Sequence, residues 1–253
     1  MANITININR YQRNISIKQI GEKGQIAINN AKVLIVGLGG LGSSAAYYLA
    51  AAGVGTIGLM DSDKVELSNL QRQILHDVSD IGKEKIQSAV ESLKAFNPEL
   101  KYNLYNMRLD ESNAYEILSQ YDAVIEGTDN FESMFLINDI CVKNNIPFAT
   151  AGILSLSGQA LFVVPGKSPC LRCVIPEIPE TPTTFELGVL GTLPGILGCI
   201  EAMDIIRWIV GMWKPLKDDK GPLHNIDGEN MRFNTIQISR AKNCKCCSHL
   251  WSE

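Results

Sequence analysis

Apolar and polar positions along the chain alternate between two periods. Residues 32–37, KVLIVG, form a β-branched run that leads into glycines and then into a stretch of small residues, SSAAYYLAAAG. A second apolar run, TIGLMD, follows at 56–61. Runs that are apolar throughout, joined by a helical stretch, predict parallel strands in a β-α-β unit. Over 82–96, Ile86, Ala89, Val90 and Leu93 recur at helical spacing, and Asn97-Pro98 ends that helix. KYNLYNM (101–107) and DAVIEG (122–127) read as further strands, a helix spans 131–144, and PFATAG (147–152) follows as a strand. This alternation predicts an α/β fold, a Rossmann-like, doubly wound and mostly parallel sheet.

The second half has a different pattern. GQALFVV (158–164) and MRFNTIQIS (231–239) read as strands with no crossover helix, which predicts an antiparallel C-terminal extension. Residues 187–210 are strongly apolar, but Glu201, Asp204 and Arg207 recur every three positions. Three charges make a membrane span costly, so the segment reads as a core helix with one wet edge. Pro194, between Gly-containing turns, predicts a bend near its start. With no internal repeat and no long linker, residues 1–253 read as one domain. It comprises an N-terminal arm (1–30), a half carrying the parallel strands (31–165), and a crossover loop, apolar helix and C-terminal tail (166–253).

Composition narrows the partners. With 20% charged residues and a net charge of −4, the chain has no general attraction for nucleic acid or an anionic membrane. The opening MANITININRYQRN alternates polar and apolar residues and does not read as a signal peptide. Seven cysteines are then expected as reduced thiols in a cytoplasmic protein, where close pairs point to metal rather than disulfides. Cys170-x-x-Cys173 and Cys244-x-x-Cys247 make two such pairs, enough for one tetrahedral S₄ zinc site, with Cys246 and His249 as competing ligands. That zinc is structural, because four protein ligands leave no position for water, and it makes the tail a zinc knuckle. Cys141 and Cys199 sit in apolar segments and read as small buried hydrophobes.

Gly37, Gly39 and Gly42 form G-x-G-x-x-G between a strand and a helix, with Gly40 beside them. Such a loop gives a tight turn, close backbone approach to phosphate, and free N–H groups at the positive end of a helix. Asp61 ends the next strand, where a carboxylate can accept bonds from ribose hydroxyls. The loop alone could be a strand–helix turn, but strand, helix, strand and acid in register point to a nucleotide, either ATP or NAD.

Residues 61–73, DSDKVELSNLQRQ, follow D-x-D-x-V-x-x-S-N-L-x-R-Q. Here the chain resembles the ubiquitin-activating-type (ThiF/MoeB/HesA) adenylyltransferases, which include bacterial enzymes that activate sulfur-carrier proteins. The resemblance extends to Arg10-Tyr11-x-Arg13, Gly82-x-x-Lys85, Thr128-Asp129-Asn130-Phe131, Gly158-Gln159, the Gly188-Val189-Leu190-Gly191 stretch and both cysteine pairs. It implies ATP and Mg²⁺ as cofactors. Arg72 and Lys85 would bring positive charge to the triphosphate, Arg as a fork and Lys as a point charge. Asn69 would be a neutral donor to phosphate or ribose, and Asp129 would hold Mg²⁺ at the mouth of the sheet. Asp63, Gln73 and Asn130 complete the implied nucleotide set, and Arg13 would reach into the partner's site of a homodimer. Taken singly, Lys85 reads as a solvated lysine, Asp129 as a helix cap, and Arg72 and Asn69 as loop residues. Their joint spacing favours the site.

The resemblance implies adenylation of a carboxylate, either the C-terminus of a ubiquitin-like sulfur-carrier protein or a small molecule, as in the related enzyme of iron-guanylylpyridinol assembly. Two positions depart from it. Thr184 stands where many relatives carry a cysteine, and Met134 where an arginine is usual. A hydroxyl is a far poorer nucleophile than a thiolate, so the chemistry is expected to stop at the acyl-adenylate. Other readings fit less well. A tRNA-modifying dehydratase of the same superfamily is opposed by the acidic composition and the paired cysteines. An NAD-dependent dehydrogenase has no use for Arg72, Lys85 and Asp129, and a non-catalytic binding partner has none for the intact ATP set. Neither nucleic acid nor membrane is an expected partner.

Overall fold

The computed structural model describes residues 7–179 and 187–250. The apolar runs become neighbouring strands. β1 (Lys32–Val36), β2 (Thr56–Met60), β3 (Lys101–Tyr105), β4 (Ala123–Glu126) and β5 (Phe148–Leu154) pair in parallel in the order β3-β2-β1-β4-β5. The sheet continues antiparallel through β6 (Ser157–Val163), β7 (Lys220–Asp227) and β8 (Arg232–Ser239) to eight strands.

Strand β7 has no counterpart in the sequence pattern, since KGPLHNID neither alternates nor runs apolar. Its Pro222 lies beyond the β6 ladder, which ends at Leu223, so its missing N–H breaks no bond on that side.

Side chains alternate between the two faces of the sheet. Val33, Ile35, Ile57, Leu59 and Ile125 pack against α2 (Gly21–Asn30), α3 (Gly40–Ala52), α4 (Lys85–Phe96) and α8 (Thr192–Ile209). Leu34, Val36, Val124, Phe148 and Val163 face α5 (Ala114–Leu118), α6 (Phe131–Lys143) and the cysteine-bearing segments around α7 (Leu171–Val174). Both faces of the parallel half are covered, as a doubly wound sheet requires, whereas β8 is exposed along most of its length.

Two expectations for the apolar helix are corrected. Pro194 sits in the first turn of α8 and bends nothing, because the first-turn N–H groups have no intrahelical acceptor anyway. The stripe of Glu201, Asp204 and Arg207 is not a wet edge. α8 lies across β5 and β6 and against α3, which turns Glu201 and Asp204 inward. Only Arg207 reaches water, pairing with Asp204 at 2.8 Å. No helix among the described residues is long and apolar enough to cross a membrane.

The helix α1 (Ile8–Ile15) folds back onto the body. Tyr11 is buried, its hydroxyl accepting from Asn97 Nδ2 at 3.0 Å, and Arg10 Nη2 donates to the Phe96 carbonyl at 2.7 Å. Asn97 and Phe96 mark the C-terminal end of α4, so α1 sits at the end of the sheet away from the glycine loop.

Candidate active site

The order β3-β2-β1-β4-β5 reverses direction between β1 and β4. The carboxyl ends of those strands therefore flank a crevice, the place where open α/β sheets bind ligands. The glycine loop and the segment after β4 meet there. Gly37 has φ +91°, and a Cβ on it would stand 2.5 Å from the Gly127 carbonyl oxygen, so only glycine fits. A Cβ on Gly42 would run into the Gly37 carbonyl, which brings the start of α3 down onto the loop. The first amides of α3, from Gly40 to Gly42, have no intrahelical acceptor and mark the positive end of the helix.

Asp61 holds this loop. Its Oδ2 accepts from Leu38 N at 2.7 Å and its Oδ1 from Asp63 N at 2.8 Å. Each oxygen keeps a second lone pair for a further donor. The segment after Asp61 arches over the loop. Asn69 Oδ1 accepts from Glu66 N at 3.2 Å and closes a 3₁₀ turn, and Arg72 Nη1 donates to the Ser68 carbonyl at 2.9 Å. Arg72 passes close to Gly40, and Gln73 lies over Gly39 with its Oε1 buried and without a partner among the described residues.

Lys85 opens α4 and is not a solvated lysine. Its side chain is 7% exposed, and its Nζ lies 2.9 Å from Oδ2 of Asp63, whose own side chain is 67% exposed. A buried ammonium with one exposed carboxylate partner is a strong cation beside the crevice. Asp129, just past β4, is exposed and makes no hydrogen bond or ion pair among the described residues. The helix cap that its position suggests is made instead by Asn130, whose Oδ1 accepts from Ser133 N at 2.9 Å. The structure thus gathers Gly37, Gly39, Gly40, Gly42, Asp61, Asp63, Asn69, Arg72, Gln73, Lys85, Asp129 and Asn130 around the carboxyl ends of β1, β2 and β4. Arg13 is not among them. It is exposed on α1, at the far end of the sheet.

Glu126 was not anticipated. It is a lone acid in an apolar strand, and that anomaly is its only signal in the sequence. Its Oε1 accepts from Thr128 N at 2.8 Å and its Oε2 from Thr150 Oγ1 at 2.6 Å, which fixes the backbone that carries Asp129. Burial pushes its carboxyl up to about 7.

On the other face of the sheet, the sulfurs of Cys170, Cys173, Cys244 and Cys247 all lie within 4.8 Å of one another. Cys170 to Cys244 is 3.6 Å, Cys173 to Cys247 3.5 Å and Cys170 to Cys173 4.0 Å. A tetrahedral zinc with bonds of about 2.3 Å sets its sulfurs roughly 3.8 Å apart, so the donor set fits. Cys246 lies outside this cluster, and its sulfur accepts from Asn138 Nδ2 at 3.3 Å. His249 is likewise outside the cluster. Cys141 is buried as expected, but Cys199 is only half-buried, beside Tyr48 and Met203 in a shallow groove between α3 and α8. Met134 is buried on α6, and Thr184 lies outside the described residues.

The ThiF family profile matches residues 11–248. The chain is 41% identical over 244 residues to the adenylyltransferase and sulfurtransferase MOCS3 of Danio rerio, covering 95% of this chain and 52% of that protein. It thus spans about half the length of the MOCS3 relatives it matches. It is 37% identical over 243 residues to the SAMP-activating enzyme E1 of Haloferax volcanii, covering 95% of this chain and 88% of the relative. Among solved structures, E. coli MccB with ATP superposes with a TM-score of 0.77 at 26% identity, covering 94% of this chain and 74% of that one.

Proposed function

Because the chain belongs to the ThiF family of ubiquitin-activating-type adenylyltransferases, we propose that it uses ATP to adenylate the C-terminal carboxylate of a ubiquitin-like sulfur-carrier protein. The observation that carries this reading is the meeting of three features at the β1/β4 crevice: the glycine loop, the buried Lys85 ammonium and the unpartnered Asp129. One substrate carboxylate oxygen attacks the α-phosphorus. The α–β bridging bond breaks, and its electron pair leaves with pyrophosphate. Two anions must approach each other, so catalysis is mainly positioning and charge neutralisation.

Each residue has a part in that task. The α3 amides receive phosphate, and Lys85 turns its charge from Asp63 to the incoming triphosphate. Arg72 needs only to leave the Ser68 carbonyl to add its fork. Asn69 and Gln73 offer neutral donors, and Asp61 accepts from the ribose while it holds Leu38. Asp129, with both oxygens free, would hold Mg²⁺, which supplies charge neutralisation at the phosphates when bound. The four cysteines would hold a structural zinc.

In the test, ATP–pyrophosphate exchange is measured against a panel of carrier proteins ending in a free carboxylate and a panel of small carboxylates. Exchange with a carrier alone supports the reading, and exchange with small carboxylates alone replaces it. That second substrate class is favoured by Met134, an apolar side chain where an arginine is usual in the family. With Thr184 at the position of the family's cysteine, the product is the acyl-adenylate, and mass spectrometry after turnover should find no adduct on Cys141, Cys199 or Cys246.

A further inference from the structure

Leu38 lies between two glycines, where the backbone has few restraints of its own. Yet it is held from both sides. Its N–H goes to Asp61, and its carbonyl oxygen lies 3.2 Å from Nε2 of His76, a buried ring the mechanism above does not use. A carbonyl only accepts, so Nε2 carries a proton. The ring's other nitrogen, Nδ1, lies 2.8 Å from Ser88 Oγ, whose single proton is shared between Nδ1 and Asp80 Oδ2 at 2.7 Å. Asp80 is fixed in turn by Lys83 Nζ at 2.8 Å and by Asp77 N at 3.1 Å. Ser88 is on α4, one turn beyond Lys85, so a single chain of bonds joins the glycine loop to the helix that carries the buried ammonium.

In a trans peptide the C=O and the next N–H point in opposite directions. Holding the Leu38 carbonyl inward on His76 therefore turns the Gly39 N–H outward, beside the free amides of α3. We infer that His76 is a positioning residue for phosphate: it orients the Gly39 amide toward the nucleotide's phosphates and sets the loop's distance from Lys85. The inference rests on the nucleotide reading above and adds a specific division of labour, because His76 bears on the phosphate end of the ligand and leaves the nucleoside end alone.

The test compares Mg–ATP and adenosine binding by calorimetry in the wild-type chain and in His76→Phe, His76→Gln and Ser88→Ala. His76→Phe keeps a ring without a donor and is expected to weaken ATP binding ten-fold or more, with adenosine binding changed less than two-fold. His76→Gln, which can still donate to the Leu38 carbonyl, should recover most of the ATP affinity. Ser88→Ala, which frees the ring without altering the loop contact, should show the same split at smaller amplitude and serves if the Phe variant does not fold. Unchanged ATP affinity in His76→Phe, or in Ser88→Ala where the Phe variant is unfolded, overturns the inference. So does an equal loss for ATP and adenosine, the signature of a merely structural role. A wild-type chain that binds no ATP overturns the nucleotide reading, and this inference with it.

Discussion

A lysine only 7% exposed with a carboxylate partner that is itself in water is poorly placed as a structural ion pair. The exposed half of such a pair is screened, so it contributes little to stability. The arrangement makes better sense as a cation kept ready for another anion. Lys85→Met should therefore lower ATP–pyrophosphate exchange by roughly 100-fold or more, the cost of removing one aligned charge-stabilising group. Unfolding free energy should change far less, and a variant that retains near-normal exchange would remove Lys85 from the site. Glu201 is the opposite case. It is 1% exposed, and both its oxygens lack a partner among the described residues. Burial, then the nearby Glu126 and Asp204, push its carboxyl well above its ordinary value of 4.5. The folded chain therefore keeps a proton that the unfolded chain releases. Glu201's contribution to stability is full below about pH 4.5 and is lost as the pH rises. Glu201→Gln, which needs no proton, should gain stability relative to wild type as the pH is raised from 5 to 8, as measured by urea midpoints at the two pH values. At this scale the sequence marked Lys85 and Asp129 only through the family resemblance, and it misplaced Glu201, because a three-residue spacing shows that side chains share a helix face and not whether that face is turned to water.

At the scale of elements, the strands of the parallel half were legible because β-branched runs between glycines have few other fates. β7 was not, since Gly221, Pro222 and His224 carry no strand signal and the segment is ordered by its neighbours on both sides. The start of α8 was misread for a related reason: a proline bends a helix only where it removes an intrahelical bond, and Pro194 precedes the first of them. The cysteine pairs were legible as a candidate metal set that would pin the C-terminal tail to the core, and the structure brings their four sulfurs together. Cys170 and Cys244 are 74 positions apart, so a metal among the four sulfurs fastens the segment after β8 to the face bearing α6. Metal analysis should find one zinc per chain. Cys170→Ser, or removal of the metal by a chelator, should cost stability comparable to loss of a native cross-link, roughly 2–5 kcal/mol. A metal-free chain with an unchanged melting temperature would show that the cluster is only a set of buried thiols.

At the scale of the whole molecule, Arg13 remains without a role inside its own chain. It is exposed on α1 and makes no hydrogen bond or ion pair among the described residues. Tyr11 and Arg10, on the same short helix, are fixed to the C-terminal ends of α3 and α4. The glycine loop lies at the other end of α3, which has 13 residues and so spans about 20 Å at 1.5 Å per residue. An arginine side chain cannot cover that distance while Tyr11 stays buried, so any part for Arg13 in catalysis must be played in a second copy. We propose a two-fold dimer, in which each arm would supply Arg13 to the partner's crevice. Arg13→Ala and Asp129→Ala chains should each be inactive alone for different reasons. When they are unfolded and refolded together in equal amounts, half the dimers are hybrids, and one of the two sites in each hybrid has both groups intact. Exchange activity should then return to about a quarter of the wild-type value. Recovery on co-refolding, with none on mixing separately refolded chains before they exchange subunits, identifies the shared site. No recovery at all, or full activity in a chain that sediments as a monomer, would place Arg13 outside the reaction.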